Sequence, residues 1–199
     1  YYPIALAEKY LGYSHNGGDA DISVEFNTLY ENMYYFGADG NCPDNQYDFT
    51  TIVLHELVHG LGFIGALYYT NGIGKYSVSS DPAQSATFVF DQFLFNTAGD
   101  HLITSFPNNS LELGTEITTL DNIHLRGIFQ SEAVPLYTPS VWSQGSSIYH
   151  VAEIYNNTEN ALMTFSSDYG ESNYQVGPIV ENILQDIGWN TETNNQFSE

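Results

Sequence analysis

Positive charge is nearly missing from this chain. Lys9, Lys75 and Arg126 are its only cations, against 24 acidic residues, and the net charge is −21 over 199 residues. A surface of that sign repels phosphate backbones, which excludes nucleic acid as a partner. It favours solubility and attracts cations, but it says nothing about the fold. Cysteine is almost as scarce. Cys42 stands alone, so no internal disulfide can hold the chain together, and without a second cysteine nearby it makes a poor metal ligand. No apolar run is long enough to span a bilayer, so no membrane span is expected. No basic-then-apolar segment opens the chain, which therefore reads as the mature or trimmed product of a secreted protein. Internal repeats and low-complexity linkers are missing too.

Hydrophobic residues make up 42% of the chain, enough to build one sizeable core. Pro3 to Leu11 predicts a short helix stopped at Gly12. Asp21 to Phe26 alternates polar and apolar residues, which predicts a half-buried strand with Ile22, Val24 and Phe26 facing inward. Gly37 to Asn45 is a loop by its turn residues. A helix capped by Asp48, Thr50 or Thr51 should follow, with Ile52 to His59 as its body. Apolar residues surround that body on nearly every side, so burial is expected. Gly60, Gly62 and Gly65 should end the helix and turn the chain. Residues 67–149 are the least legible; Phe88 to Phe95 fits a strand or a short helix. Near the end, Gly177-Pro178 opens a helix whose apolar face is Ile179, Val180, Ile183, Leu184 and Ile187, stopped at Gly188.

Chemistry concentrates in His55-Glu56-Leu57-Val58-His59. On a helix, positions i and i+4 share a face. Two imidazoles so placed can grip one zinc ion, Zn2+, at about 2.0–2.1 Å each. Zinc lowers the pKa of a coordinated water to about 7, and a carboxylate beside that face, here Glu56, can take the proton as the oxygen attacks a carbonyl carbon. Two core histidines beside a stray glutamate would give the same five letters. Their place in an apolar helix, costly for unpartnered polar groups, together with the cap before and the glycines after, favours the metal.

A catalytic zinc site needs a third protein ligand and an open fourth position. One class of zinc peptidase draws a glutamate from a later helix, but no glutamate lies between Glu56 and Glu112. A compact class places a third histidine six residues beyond the second, where this chain has Gly65. The ligand must come from further away, and His101, His124 and His150 are the candidates downstream. His150 follows Gly145 to Tyr149, and Leu162-Met163-Thr164 comes shortly after it.

His55 to Phe63, a distant histidine and a downstream Leu-Met together resemble the metzincin clan of zinc peptidases. The nearest branch is leishmanolysin-like, which also inserts a long segment before its third histidine. Ala20 to Asn27, Gln46 to Phe49, Trp142 to His150 and Gly177 to Trp189 are similar to secreted bacterial metallopeptidases, many from Bacteroidetes. The resemblance implies an α+β fold with two lobes. Residues 1–66 would form an upper lobe with a twisted sheet and the active-site helix. Residues 67–199 would form an irregular lower lobe with the third ligand, a methionine turn and the C-terminal helix. It implies zinc on His55, His59 and His150, Glu56 as base, Met163 as the turn methionine, and an edge strand that holds an extended peptide, for which Ile22 to Phe26 is the candidate. Where some metzincins carry a tyrosine two residues after the methionine, this chain has Phe165; Tyr149 or Tyr169 could instead donate to the oxyanion. Further strands of the sheet could lie in Leu29–Phe36.

The resulting expectation is a secreted, monomeric zinc endopeptidase acting on protein or peptide substrates. Two other readings accompany it: a non-catalytic glycan-binding or adhesion module on a peptidase scaffold, suggested by the many tyrosines, and a zinc hydrolase of non-peptide amides. Asp and Asn of the 37–45 loop offer oxygens for calcium, Ca2+, but their spacing lacks the helix–loop–helix pattern. Asn108-Asn109-Ser110 and Asn156-Asn157-Thr158 match glycosylation acceptors and read as surface loops.

Overall fold

The chain was analysed as a computed structural model that describes residues 1–77 and 86–189. It mixes α and β. Helix α1 (Ile4–Leu11) follows Pro3 and ends at Gly12. A 3-10 turn (Thr28–Met33) leads into β1 (Tyr34–Tyr35), which pairs in parallel with β2 (Tyr47–Asp48). Helix α2 (Phe49–Leu61) carries the two motif histidines. Strands β3 (Leu67–Thr70) and β4 (Ile73–Tyr76) form an antiparallel hairpin. Its turn is Asn71-Gly72, both at positive φ (51° and 85°). These two residue types adopt that conformation most readily, and the turn twists in the sense the strands need. The 3-10 turn Phe90–Phe93 runs straight into β5 (Leu94–Asn96). Helices α3 (Leu102–Ser105) and α4 (Leu111–Thr118) come next. Strands β6 (Ile123–Leu125) and β7 (Val134–Pro135) complete an antiparallel sheet in the order β5-β6-β7. Helix α5 (Pro178–Ile187) closes the described chain.

One apolar cluster runs through these elements. Phe63, Phe90, Leu94, Leu113, Ile117, Ile123, Leu125, Leu136, Ile148 and Met163 are all fully buried in it. Helix α5 adds Val180, Ile183, Leu184 and Ile187 from one face, as the i, i+3, i+4, i+7 spacing predicts. The chain beyond α5 then docks on the far end of α2. Trp189 Nε1 donates to Leu61 O at 2.7 Å, and Lys9 Nζ, on α1, donates to Gly188 O at 2.6 Å.

Several expectations change. Ile22, Val24 and Phe26 do turn inward and alternate with exposed neighbours, but residues 22–26 belong to no strand. Ile22 lies against Gly60, and the Phe26 ring sits 4.8 Å from that of Phe49. The segment is a strap across α2, with side-chain contacts in place of ladder hydrogen bonds, and it offers no sheet edge for a peptide. The twisted sheet expected around it is absent from the described residues: the β structure there consists of two pairs and one three-stranded sheet. Leu29–Phe36 is mostly 3-10 turn, with only Tyr34–Tyr35 as strand. Helix α2 is half-buried, with Thr51 and Val58 inside and Leu57 exposed. In place of the expected full burial, Leu57 faces outward and Ile52 lines a cavity.

Asp48 fixes the start of α2. It is 2% exposed; Oδ1 accepts from Thr51 N at 2.8 Å, and Oδ2 accepts from Ser172 Oγ at 2.8 Å and Tyr174 OH at 2.7 Å. The cap therefore ties the helix to the chain beyond the methionine turn. Asp48→Ala removes a helix cap and leaves two hydroxyls without their acceptor. It should lower unfolding free energy by about 2–3 kcal/mol in chemical denaturation; a loss no larger than that of an exposed carboxylate such as Glu112 would contradict the tether.

Candidate metal centre

His55 and His59 stand one turn apart on α2, with ring centroids 4.8 Å apart. The helix stops just beyond them. Gly62 caps it at φ 123°, a backbone conformation that L side chains rarely adopt, and its N–H returns to the carbonyls of Val58 and His59. His150 arrives from the other end of the chain. The three Nε2 atoms meet: His55 to His150 at 3.1 Å, His59 to His55 at 3.1 Å and His59 to His150 at 3.3 Å. Among the described residues this is the one group of three or more His, Cys, Asp or Glu close enough to share a metal ion.

The opposite nitrogen of each ring decides what the triangle means. His55 Nδ1 lies 2.7 Å from Leu162 O, His59 Nδ1 2.7 Å from Phe63 O, and His150 Nδ1 2.8 Å from Ser146 O. A carbonyl oxygen can only accept, so each Nδ1 carries a proton, and a ring in its neutral form then turns a bare Nε2 lone pair inward. Three lone pairs facing one another have no donor between them. A shared cation satisfies all three, and nitrogens bound tetrahedrally at about 2.0–2.1 Å stand roughly 3.3 Å apart, close to the spacing seen. The residues therefore fit a metal ion.

Electrostatics point the same way. Burial, then the neighbouring rings of His59 and His55, depress the His150 pKa to about 3. Burial also lowers that of His59, against the opposing pull of the Phe63 carbonyl. The His150 ring therefore stays neutral, and so ready as a ligand, well into acid, and His59 is shifted in the same direction.

The methionine turn joins the two ligand-bearing segments. Met163 is fully buried in a 3-10 turn (Ala161–Met163). The preceding carbonyl, Leu162 O, receives His55 Nδ1, while Met163 O receives Val151 N at 2.9 Å, one residue past His150. Just before His150, Ile148 adopts φ 73° while fully buried. For a β-branched side chain this is strained backbone, costing roughly 1–3 kcal/mol.

Glu56 borders two cavities. One, about 440 Å³, is walled by Tyr30, Tyr34, Tyr47, His55, Thr164 and Phe165; the other, about 300 Å³, by His59, Gly65, Leu67, Trp142, Ser147 and Tyr149. The two cavities share Glu56; the first reaches His55 and the second His59, and Glu56 is the one carboxylate in either lining. Phe165, where a tyrosine was a point of comparison, stacks on Tyr137 at 4.0 Å. Tyr149 is not free to donate into the cleft, because its hydroxyl is engaged by Asp91 and Leu67. Tyr169 packs on Tyr47 at 4.3 Å, beside the larger cavity.

The other candidates lie elsewhere. His101 caps α3 and its Nε2 faces Gln92 O at 2.8 Å. His124 sits in β6, against a separate cavity with Asp121, Tyr137 and Glu153. Asp39 of the 37–45 loop is taken up by Tyr35 OH and Asn41 N, and Cys42 Sγ donates to Gln46 O at 3.2 Å. Two features escaped the sequence reading. The tyrosine wall of the larger cavity had no motif to announce it. Asp91, fully buried, was marked only by being the lone acid in the aromatic run from Phe88 to Phe95; burial pushes its pKa up to about 6 against the bonds it accepts.

Compared with known proteins, residues 1–73 match a family model described as SPBPB7E8-like. That span includes α2 and two of the three histidines. No curated protein and no solved structure matches the chain.

Two measurements test the centre. His150→Ala should weaken metal binding by far more than the about 10–100-fold typical of outer-shell changes, while His101→Ala and His124→Ala leave it at the parental level; equal effects at all three would remove the assignment. In the metal-free protein, neutral His150 favours the fold above pH 6.5, and that contribution is lost as pH falls from 6.5 through about 3. Asp91, raised to about 6, titrates with the opposite sign over an overlapping range. The quantity to follow is therefore the stability of the parent relative to His150→Leu, which should fall steadily on acidification across that window.

Proposed function

We propose that the protein is a zinc-dependent endopeptidase of metzincin type, leishmanolysin-like in its long insert, acting outside the cell on extended protein substrates. The observation that carries this is the meeting of three bare Nε2 atoms beside Glu56 in a cleft that continues to either side. A purely structural metal site is closed by four protein ligands; three histidines and an adjoining cleft suit a catalytic one.

His55, His59 and His150 would hold the ion. When bound, zinc acidifies a water and polarises the carbonyl of the bond to be cut. Glu56 takes the proton from the attacking water and passes it to the leaving amine, a shuttle that needs a carboxylate at the junction of the two half-clefts, where Glu56 stands. The carbonyls of Leu162, Phe63 and Ser146 keep the three rings in one tautomer and one orientation. The half-clefts hold the peptide on both sides of the scissile bond, and their tyrosine, tryptophan and phenylalanine walls exclude water from it.

Glu56→Gln should bind zinc at the parental level and keep the parental fold while cleaving a mixed peptide library at least about 10²-fold more slowly, the usual size of a general-base contribution. Cleavage by the parent should stop with a zinc chelator and return with zinc. A parent that binds zinc but cuts no peptide would instead favour the glycan-binding module or the hydrolase of other amides, which glycan binding and non-peptide amide substrates then separate.

A further inference from the structure

Resting on the reading of the three histidines as a metal centre, we propose that Asp91 and Tyr149 are a buried pair of positioning residues that hold His150 on the metal. Neither belongs to the set of three histidines. Asp91 is fully buried and spends both oxygens: Oδ1 accepts from Tyr149 OH at 2.9 Å, and Oδ2 accepts from Phe88 N at 2.9 Å and Ala66 N at 3.0 Å. Tyr149 OH in turn accepts from Leu67 N at 2.7 Å. The far end of the Tyr149 ring is thus fastened to the segment that leaves α2, and its near end is the residue next to His150.

That fastening has something to work against. Ile148, one residue before Tyr149, is held at φ 73°, so relaxation of this backbone would turn Tyr149 and His150 together. His150 has local ties at Ser146 O and Tyr137 N, but both lie on its own side of the cleft. The Asp91–Tyr149 link reaches across to the chain that continues from His59. Together with the turn that holds Met163, it fixes the distance between the helix that supplies two ligands and the loop that supplies the third.

Gly65 explains how the pair finds room. A Cβ at this position would run into Asp91 Oδ1 and the Tyr149 ring. This is also the position from which a compact motif would send its third histidine. In this chain the space is given to the pair that holds a histidine brought from elsewhere.

The test uses the full chain, stripped of metal and titrated with Co2+, whose visible absorption reports ligand geometry. The variants are Tyr149→Phe, Asp91→Asn and Gly65→Ala, with Leu113→Ala as a core control that destabilises without touching this region. Tyr149→Phe and Asp91→Asn should bind Co2+ about 10–100-fold more weakly, the range for partners that orient metal ligands, with altered absorption bands. Gly65→Ala should change in the same direction, and Leu113→Ala should keep the parental affinity and spectrum. Parental Co2+ affinity and spectrum in Tyr149→Phe and Asp91→Asn would overturn the proposal. So would failure of both to fold at saturating metal, since the pair would then be holding the fold and not one ligand. A parent that binds no Co2+, or one whose binding survives His150→Ala, would instead remove the metal-centre reading itself.

Discussion

Three imidazole Nε2 atoms face one another across little more than 3 Å, and the ties around them keep them there. Each ring is pinned at its back by a main-chain carbonyl, and those carbonyls come from three places: the turn holding Met163, the end of α2, and the loop before His150. Lone pairs so arranged repel, so the apo centre is a concentration of unfavourable electrostatics within a marginally stable fold. A cation reverses the sign of that term. Binding energy at the centre is then also folding energy, because the loop and the helix meet only in the folded state.

Legibility followed the range of the interactions. What is fixed by neighbours in sequence could be read directly. A cap at Asp48, Thr50 or Thr51, the glycines ending α2 and the apolar face of α5 between Gly177 and Gly188 all depend on spacings within a few residues. The Asn71-Gly72 hairpin is equally local, yet it escaped the sequence reading, because the short runs on either side of the turn carry little strand pattern. Ile22 to Phe26 shows the limit of such reading. Its alternation correctly reports which side chains turn inward, but alternation cannot distinguish a paired strand from a strap whose extended backbone bonds to no neighbour.

The candidate site divides along the same line. His55, Glu56 and His59 are one helical turn and are legible as such. His150 could be named only by its company and by resemblance, since nothing in its own spacing links it to α2. The pocket tyrosines and Asp91 could not be named at all: a tyrosine becomes a cleft wall, and an aspartate an internal anchor, only through contacts between segments far apart in sequence. Buried acids remain worth asking about in any apolar run, because the cost of burying one implies partners even when the sequence does not say which.

The carboxylate of Asp48 has a further consequence. The larger cavity lies between residues near the start of α2, including Tyr34 and Tyr47, and the segment from Thr164 to Ser167. Asp48 bonds to α2 with one oxygen and, with the other, to Ser172 and Tyr174, which follow that second wall in the chain. The gap is thereby braced at a preset width, and a chain entering it has little loop ordering to induce. For any ligand of this cavity, association would be governed by how readily water leaves the tyrosine faces and would discriminate by girth: groups that match the gap enter without rearrangement, and wider ones must break a buried hydrogen-bonded tether.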